Sequence, residues 1–367
     1  MFSARSTGCA GFFKPYRPLA HVCIGFVASL FVVFSVHAQA PAVPTAAPKG
    51  TAVFGPDVAE WLVRLHEASR RRAYTGTLVV SSDGSLSSSR VWHVCDGEQQ
   101  LERIDTLTGP PRTTVRRNDE VVTLIPESRL AVLERRASLG FFPAPLPSGV
   151  ETVGQHYLLK PLPLTDRIAG FDAVAVELQP RDDLRYGYRV WSEKKTGLVL
   201  KLQTLDAAQR VLEQVAFTEL QLDAPVKIEP LLRLLKTRGG YPVQNIVLTP
   251  TTPQEQGWRL RQAVPGFATT ACHLRAAPPA VAAGAAAAAP VPAARPLPLQ
   301  WVLSDGLASV SLFVEPYDPA VHQAEGRLAS GATHSLSRRL GDHWLTVVGE
   351  VPPKALAQFA AELERIR

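Results

Sequence analysis

The sequence predicts an α+β protein in which an amphipathic helix opens a long antiparallel meander and a smaller antiparallel sheet is closed by a C-terminal helix. Three observations predict it. Apolar residues recur at helical spacing near the two ends of the folding part, at Val58, Trp61, Leu62 and Leu65 and again at Leu356, Phe359, Ala360 and Leu363. Short β-branched and apolar runs fill most of the chain between them, and Asp83-Gly84, Asp96-Gly97 and Asn118-Asp119 separate those runs with hairpin chemistry.

Taken in order, Asp57 stands three residues before Glu60 and starts a helix over about 57–72. Strand signals follow at 74–82, 89–95, 99–107, 112–117 and 121–125. A second set continues the meander: Val174, Val176 and Leu178 alternate with Ala173, Ala175 and Glu177, and Leu198, Leu200 and Leu202 alternate with Val199, Lys201 and Gln203, so one face of each strand is expected to be buried. Between the sets, Gly140–Pro147 places Phe141, Phe142 and Leu146 among three prolines, which reads as an apolar loop or lid. From about 222 to 256 the pattern breaks into one short amphipathic segment (Ile228, Leu231, Leu232, Leu235) and a Gly, Pro, Thr and Gln-rich stretch, where a domain boundary is expected. Strand signals return around 258–263, 299–303, 307–315, 334–340 and 343–349, and Pro352-Pro353 opens the last helix. An Ala/Pro tract at 276–298 interrupts this part as a surface insertion.

The 367 residues suffice for two domains, and 46% hydrophobic with 20% charged residues is a globular composition. The first forty residues differ. Arg5, Lys14 and Arg17 precede the fifteen-residue apolar run Val22–Val36, and small residues surround Ala38: a secretory signal peptide, too short for a span of about 20 residues. Cleavage is expected after Ala38, an uncleaved anchor being the alternative; residues 39–56 read as a flexible leader. Removing those three cations from 39 leaves 36 basic against 33 acidic residues, a net charge of +3, which argues against a nucleic-acid partner. Cys9 and Cys23 leave with the signal peptide. Cys95 and Cys272 remain in an oxidising compartment, either paired or as two separate thiols.

Reaction chemistry is largely absent from the sequence. His66-Glu67 opens like a zinc-protease helix, but Arg70 occupies the position of the second histidine. There is no Gly-x-Ser-x-Gly elbow, Walker loop or Cys-x-x-Cys, and the nine histidines lack ligand spacing. Pro180–Arg185 (PRDDLR) reads as a charged connection with locally paired Asp and Arg. No catalytic residue, metal or cofactor is assigned.

Several ordered segments together resemble the RseB/MucB family of sigma-E regulators: Trp61–Ala68 (WLVRLHEA), Tyr74–Thr77, Gly109–Arg112, Arg185–Trp191 (RYGYRVW), Thr196–Leu200 and Leu212–Thr218. Pro265-Gly266-Phe267, Ser304–Ser311 (SDGLASVS), Gly331–Thr333 and Val347–Pro353 (VVGEVPP) complete the set. The chain departs from that family's pattern in the Ala/Pro tract and at Thr108 and Thr113. The resemblance implies an N-terminal domain over 57–222 similar to the lipoprotein carriers LolA and LolB, an unclosed β-barrel on helices. A linker over 223–256 and a C-terminal domain over 257–367 follow. It further implies a periplasmic, non-enzymatic regulator that binds an RseA/MucA-type anti-sigma factor and shields it from site-1 proteolysis until a lipid or lipopolysaccharide signal releases it. A periplasmic lipoprotein or lipid carrier is the alternative, and homo-oligomerisation stays open. Candidates to line a lipid cavity are Phe141, Phe142, Leu146 and Tyr157, with plain core packing as the competing reading of each. Candidates for the partner surface are Ser304, Asp305 and Gly306, the strand 307–315, and Arg338 and Arg339, although Asp305-Gly306 also reads as a tight turn.

Overall fold

The computed structural model describes residues 58–97, 99–135, 150–276 and 296–366. The expected signal peptide and leader, Phe141, Phe142 and Leu146, and most of the Ala/Pro tract lie outside those residues.

Helix α1 (Val58–Arg71) buries the stripe its spacing predicts, Val58, Trp61, Leu62 and Leu65, and places Glu60 in its first turn and Arg70 and Arg71 in its last, as the helix dipole favours. Strands β1 (Tyr74–Ser82), β2 (Ser85–Asp96), β3 (Gln99–Thr106), β4 (Thr113–Arg117), β5 (Glu120–Ile125) and β6 (Leu130–Arg135) form the predicted meander. At its first turn Asp83 and Gly84 both adopt positive φ, as a two-residue hairpin of the favoured hand requires. Helix α2 (Val150–His156) leads into β7 (Tyr157–Ile168), β8 (Phe171–Pro180), β9 (Gly187–Glu193), β10 (Val199–Leu205) and β11 (Val211–Leu222). Helix α3 (Ile228–Thr237) and β12 (Val243–Asn245) follow.

These strands make one twelve-stranded sheet in the order β12-β6-β5-β4-β3-β2-β1-β11-β10-β9-β8-β7, antiparallel except for β12 beside β6. Its two ends do not pair, so the barrel is unclosed. Edge strand β7 carries Pro161 and Pro163 and shifts register between Pro161 and Thr165, the kind of irregularity that an edge tolerates.

The expectation of one buried face per strand fails in β8. Val176 and Leu178, opposite Val190 and Tyr188, pack with the α1 stripe, whereas Ala173 and Ala175, on the Trp191 side, enter a second cluster with Leu198 and Leu200. A strand covered on both sides lacks the polar alternation that would announce it. The expected linker is likewise structured: Leu231 and Leu235 of α3 bury against Leu101, Val115 and Val122 of the first sheet, and β12 extends that sheet.

The chain then enters the second sheet with β13 (Val247–Pro250), followed by β14 (Trp258–Leu260), β15 (Ala268–Ala276), β16 (Leu299–Ser304), β17 (Ser309–Pro316), β18 (Gly326–Ser330), β19 (Thr333–Leu340) and β20 (His343–Gly349). Helix α4 (Pro353–Glu362) and β21 (Leu363–Arg365) complete the fold, β21 pairing with β14. Seven of these strands form an antiparallel sheet in the order β13-β15-β16-β17-β20-β19-β18. Leu356, Phe359 and Ala360 of α4 bury against Val310, Leu312, Leu345 and Val347, covering the sheet as predicted.

Candidate functional site at the seam between the two sheets

A buried cluster of polar residues lies where the two sheets meet. Asp305, 2% exposed, follows β16 in a turn that Ser304 closes: its hydroxyl donates to the Ala308 carbonyl at 2.8 Å and accepts the Gly306 N–H at 3.1 Å. Asp305 Oδ1 accepts the N–H groups of Leu307 and Ala308 at 2.9 and 2.8 Å. Its Oδ2 faces the other domain, accepting the Tyr157 hydroxyl at 3.0 Å and Arg185 Nε at 2.7 Å.

The Arg185 side chain has no exposed surface. Besides Asp305 it pairs with Asp182, donates to the Pro265 carbonyl at 2.5 Å, and lies 4.8 Å from the Phe267 ring centroid. Gly266 sits between those two residues with φ +79, and a Cβ there would collide with the Arg185 guanidinium and with His156. Burial, and after it the Asp305 carboxylate, pushes the Tyr157 hydroxyl well above its ordinary pKa, so it remains a proton donor. Burial and then Arg185 push the His156 imidazole down, which keeps it neutral beside the guanidinium.

A second polar contact lies beside the first. Asp83, in the β1–β2 turn, accepts the Gly331 N–H from the β18–β19 turn, and Tyr186 Oη lies 3.3 Å from His334 Nδ1. Gly331 has φ +58, and a Cβ would strike Ser82 Oγ and come within 2.9 Å of Glu213 Oε2. Burial raises the carboxyl pKa of both Glu213 and Glu350, with the charge of Glu350 adding to the effect on Glu213. Apolar side chains interlock around these groups: Leu184 belongs to the core of the second sheet, and Leu307 to the cluster formed by α1, α2 and β8–β10.

The structure therefore unites two residues that the sequence assigned to different tasks. Tyr157, a cavity candidate, is fully buried and bonded to Asp305, a partner-surface candidate; while the domains are joined this way, neither is open to a ligand. Arg338 and Arg339 stand apart from Ser304–Gly306. In β19 they oppose Leu345 and Trp344, four and five residues along β20 from the Gly349 end that abuts β17 and the seam, or about 15 Å at strand rise. Arg339 stacks 4.0 Å over Tyr317 and donates to the Gly341 carbonyl. The local Arg185–Asp182 pairing expected in the charged connection is present; its long-range half, to Asp305, is what sequence reasoning missed, together with the seam roles of Asp83, Glu213, Glu350 and Leu184. The available signal was the clustering itself: Arg185–Trp191, Pro265–Phe267, Ser304–Ser311, Gly331–Thr333 and Val347–Pro353 all reach this seam.

Cys95 and Cys272 are unpaired thiols on different sheets, and burial pushes Cys272 up to about 11. Among the described residues, no group of three or more His, Cys, Asp or Glu is placed to hold a metal ion, and no helix is long and apolar enough to cross a membrane.

Comparison with known proteins supplies the family. The MucB/RseB N-terminal domain matches residues 57–235 and the MucB/RseB C-terminal domain matches residues 252–364. The sigma factor AlgU regulatory protein MucB of Pseudomonas aeruginosa is 30% identical over 308 residues, 81% of this chain and 87% of that protein. The sigma-E factor regulatory protein RseB of Escherichia coli is 24% identical over 315 residues, 83% and 89% of the respective chains. Among solved structures, MucB in complex with MucA(peri) superposes with a TM-score of 0.61 at 27% identity, over 85% of this chain and all of that one. The Pseudomonas aeruginosa MucA/MucB complex gives 0.62 at 26%, over 85% and 99%. Two adjacent domain matches spanning most of the folded chain, with a relative 30% identical over 81% of it, establish that this protein belongs to the MucB/RseB family of sigma factor regulatory proteins.

Proposed function

We propose that this chain is a periplasmic negative regulator of an envelope-stress sigma factor, which binds the periplasmic region of a membrane anti-sigma factor and shields it from site-1 proteolysis. A lipid or lipopolysaccharide signal releases it. The observation that carries the reading is the match across both domains to MucB, a protein whose structure is solved with the periplasmic part of MucA. The signal peptide expected over residues 1–38 supports the matching compartment.

No catalytic group is needed for this task. Occupancy of the cleavage site suppresses proteolysis in proportion to the bound fraction, and a ligand that favours the unbound conformation lowers that fraction by mass action. The seam is where such a ligand acts in this reading, because both domains are required to build it. Phe141, Phe142 and Leu146, ahead of α2 and Tyr157, supply the apolar cover for an acyl chain.

The test is recovery of partners from the organism's own envelope extract on the mature chain, residues 39–367, with mass spectrometry and a protease-protection assay on what is retained. A single-span anti-sigma factor that is retained, protected, and released by added lipopolysaccharide supports the regulator. Recovery of lipoproteins or lipids alone would instead make the protein a carrier.

A further inference from the structure

We propose that strand β18, at the edge of the second sheet, is a docking site for an extended acidic peptide of a partner protein, which adds there as a further antiparallel or parallel strand.

The edge is bare. β18 pairs with β19 along all five of its residues, from Gly326 opposite Ser337 to Ser330 opposite Thr333, with no register shift. On its other side it meets no strand, and each of its residues is exposed. Alternate backbone N–H and C=O groups therefore point out of the sheet, where another chain can pair with them. Edge strand β7 of the first sheet carries the usual protection, two prolines and a break in register; β18 has neither. Leu328, opposite Ser335, is 77% exposed and would be covered by a strand laid alongside.

The side chains beside the edge select the occupant. Arg327 stands opposite Leu336, and Arg338, two residues further along β19, is its diagonal neighbour on the same face. Among the described residues neither guanidinium has a carboxylate partner, and the nearby Glu325 accepts the Arg339 backbone N–H at 2.8 Å. Two unpaired cations at a strand edge repel a basic strand and favour an acidic one. Next to Arg327 and Ala329, Leu336 of β19 and Pro353 and Leu356 of α4 line a cavity of about 110 Å³, room for one aliphatic side chain. A strand residue that enters it has its neighbours two positions away on the same face, toward the arginines. The fitting sequence is thus an aliphatic residue with carboxylates two positions to either side, which suits both strand directions. At its Ser330 end β18 leads into the turn where Asp83 accepts the Gly331 N–H, so a peptide held here ends at the domain junction. The docking site does not rest on the regulator function proposed above.

The experiment titrates the full mature chain, residues 39–367, into fluorescein-labelled Thr-Glu-Val-Leu-Val-Glu-Thr and reads anisotropy. Saturable binding is expected, weakened about tenfold when the peptide leucine becomes alanine and about threefold by each of Arg327→Gln and Arg338→Gln. Backbone N-methylation separates strand addition from charge attraction alone. Methylating the two valines and methylating the leucine and glutamates should act oppositely, one set abolishing binding and the other leaving it, because only alternate amides face β18. The charge-reversed Arg327→Glu/Arg338→Glu chain should bind the peptide with lysines in place of the glutamates, a gain that a misfolded variant cannot give. No saturable binding, equal binding of the glutamate and lysine peptides by the unmodified chain, or equal effects of the two methylation patterns overturns the site. Self-association of the mature chain in sedimentation, abolished by Leu328→Ser and accompanied by no peptide binding, would assign the edge to a second copy and overturn it as well.

Discussion

Replacing Asp305 with Ala should separate the two domains energetically. The carboxylate accepts four hydrogen bonds of 2.7–3.0 Å, two from its own turn and two from across the seam. Its loss leaves the Arg185 guanidinium buried with Asp182, itself 32% exposed, and one carbonyl as its polar partners. Breaking a buried ion pair from one side costs about 3–5 kcal/mol. Because Asp182 and the Phe267 face still compensate part of the charge, the lower end applies, about 3 kcal/mol, a large share of a total stability of about 5–15 kcal/mol. With a urea slope of about 3 kcal/mol/M for a chain of this size, the midpoint falls by about 1 M. Equilibrium urea unfolding followed by tryptophan fluorescence and by far-ultraviolet circular dichroism measures it. The unmodified protein should unfold with coincident transitions, and the variant should split them as the C-terminal sheet loses its anchor. Asp305→Asn, which keeps an acceptor for the turn amides, should lose less. A midpoint within about 0.2 M of the unmodified protein, with transitions still coincident, would refute the assignment of the seam to this carboxylate.

Gly331→Ala should destabilise the protein by about 1–3 kcal/mol, read as a lower thermal midpoint, because a side chain at φ +58 is strained and would displace Ser82 and Glu213 from the second contact. Leu184→Ala and Leu307→Ala should each cost about 2–4 kcal/mol in urea unfolding, as both leucines are buried in the core of the opposite domain. Glu213 and Glu350 have carboxyl pKa values raised by burial, so the stability they contribute is full in acid and is lost as the pH rises through those raised values, above the ordinary glutamate range near about 4.3. Glu213→Gln should therefore raise the thermal midpoint relative to the unmodified protein most at neutral pH, and the difference should shrink on acidification; a pH-independent difference would exclude this contact as its origin.

Local order was legible in the sequence, and long-range order was not. The α1 stripe, the Asp83-Gly84 turn and the α4 stripe are repeated patterns within a few residues, and each forms as its spacing predicts. β8 escaped the alternation rule because cover on both sides makes Ala173 and Val176 equally apolar positions. β18, exposed along its whole length, had no buried face to reveal it. The packing of α3 within the expected boundary stretch was not legible, because α3 has an amphipathic pattern but its partners, Leu101 and Val115, lie more than a hundred residues earlier. Asp305 illustrates the limit best. Ser-Asp-Gly announces a turn, and the turn is there, but the same carboxylate spends its second oxygen on Tyr157 and Arg185, at separations of 148 and 120 residues, which no local pattern encodes.

The composition of the seam bears on how a protein of this family could be switched. An apolar seam of the same area would hold the domains as well, since replacing a buried ion pair by packed hydrophobic groups is often neutral or stabilising. What the polar hub adds is a cheaper opening, because Arg185 and Asp305 regain hydration as they part, whereas exposed leucines gain nothing. A closed form favoured by about 3 kcal/mol leaves an open population of about 1%. A ligand that favours the open form by a factor of about a hundred then balances the two states, and one of about ten thousand inverts them. Interlocked Leu184 and Leu307 work in the opposite direction, since each is buried in the core of the other domain and so gives the joined form a defined register. Stability and responsiveness are thus set by different residues of one surface, so a substitution at Leu307 should shift the resting population, whereas one at Arg185 should change both that population and its dependence on ionic strength.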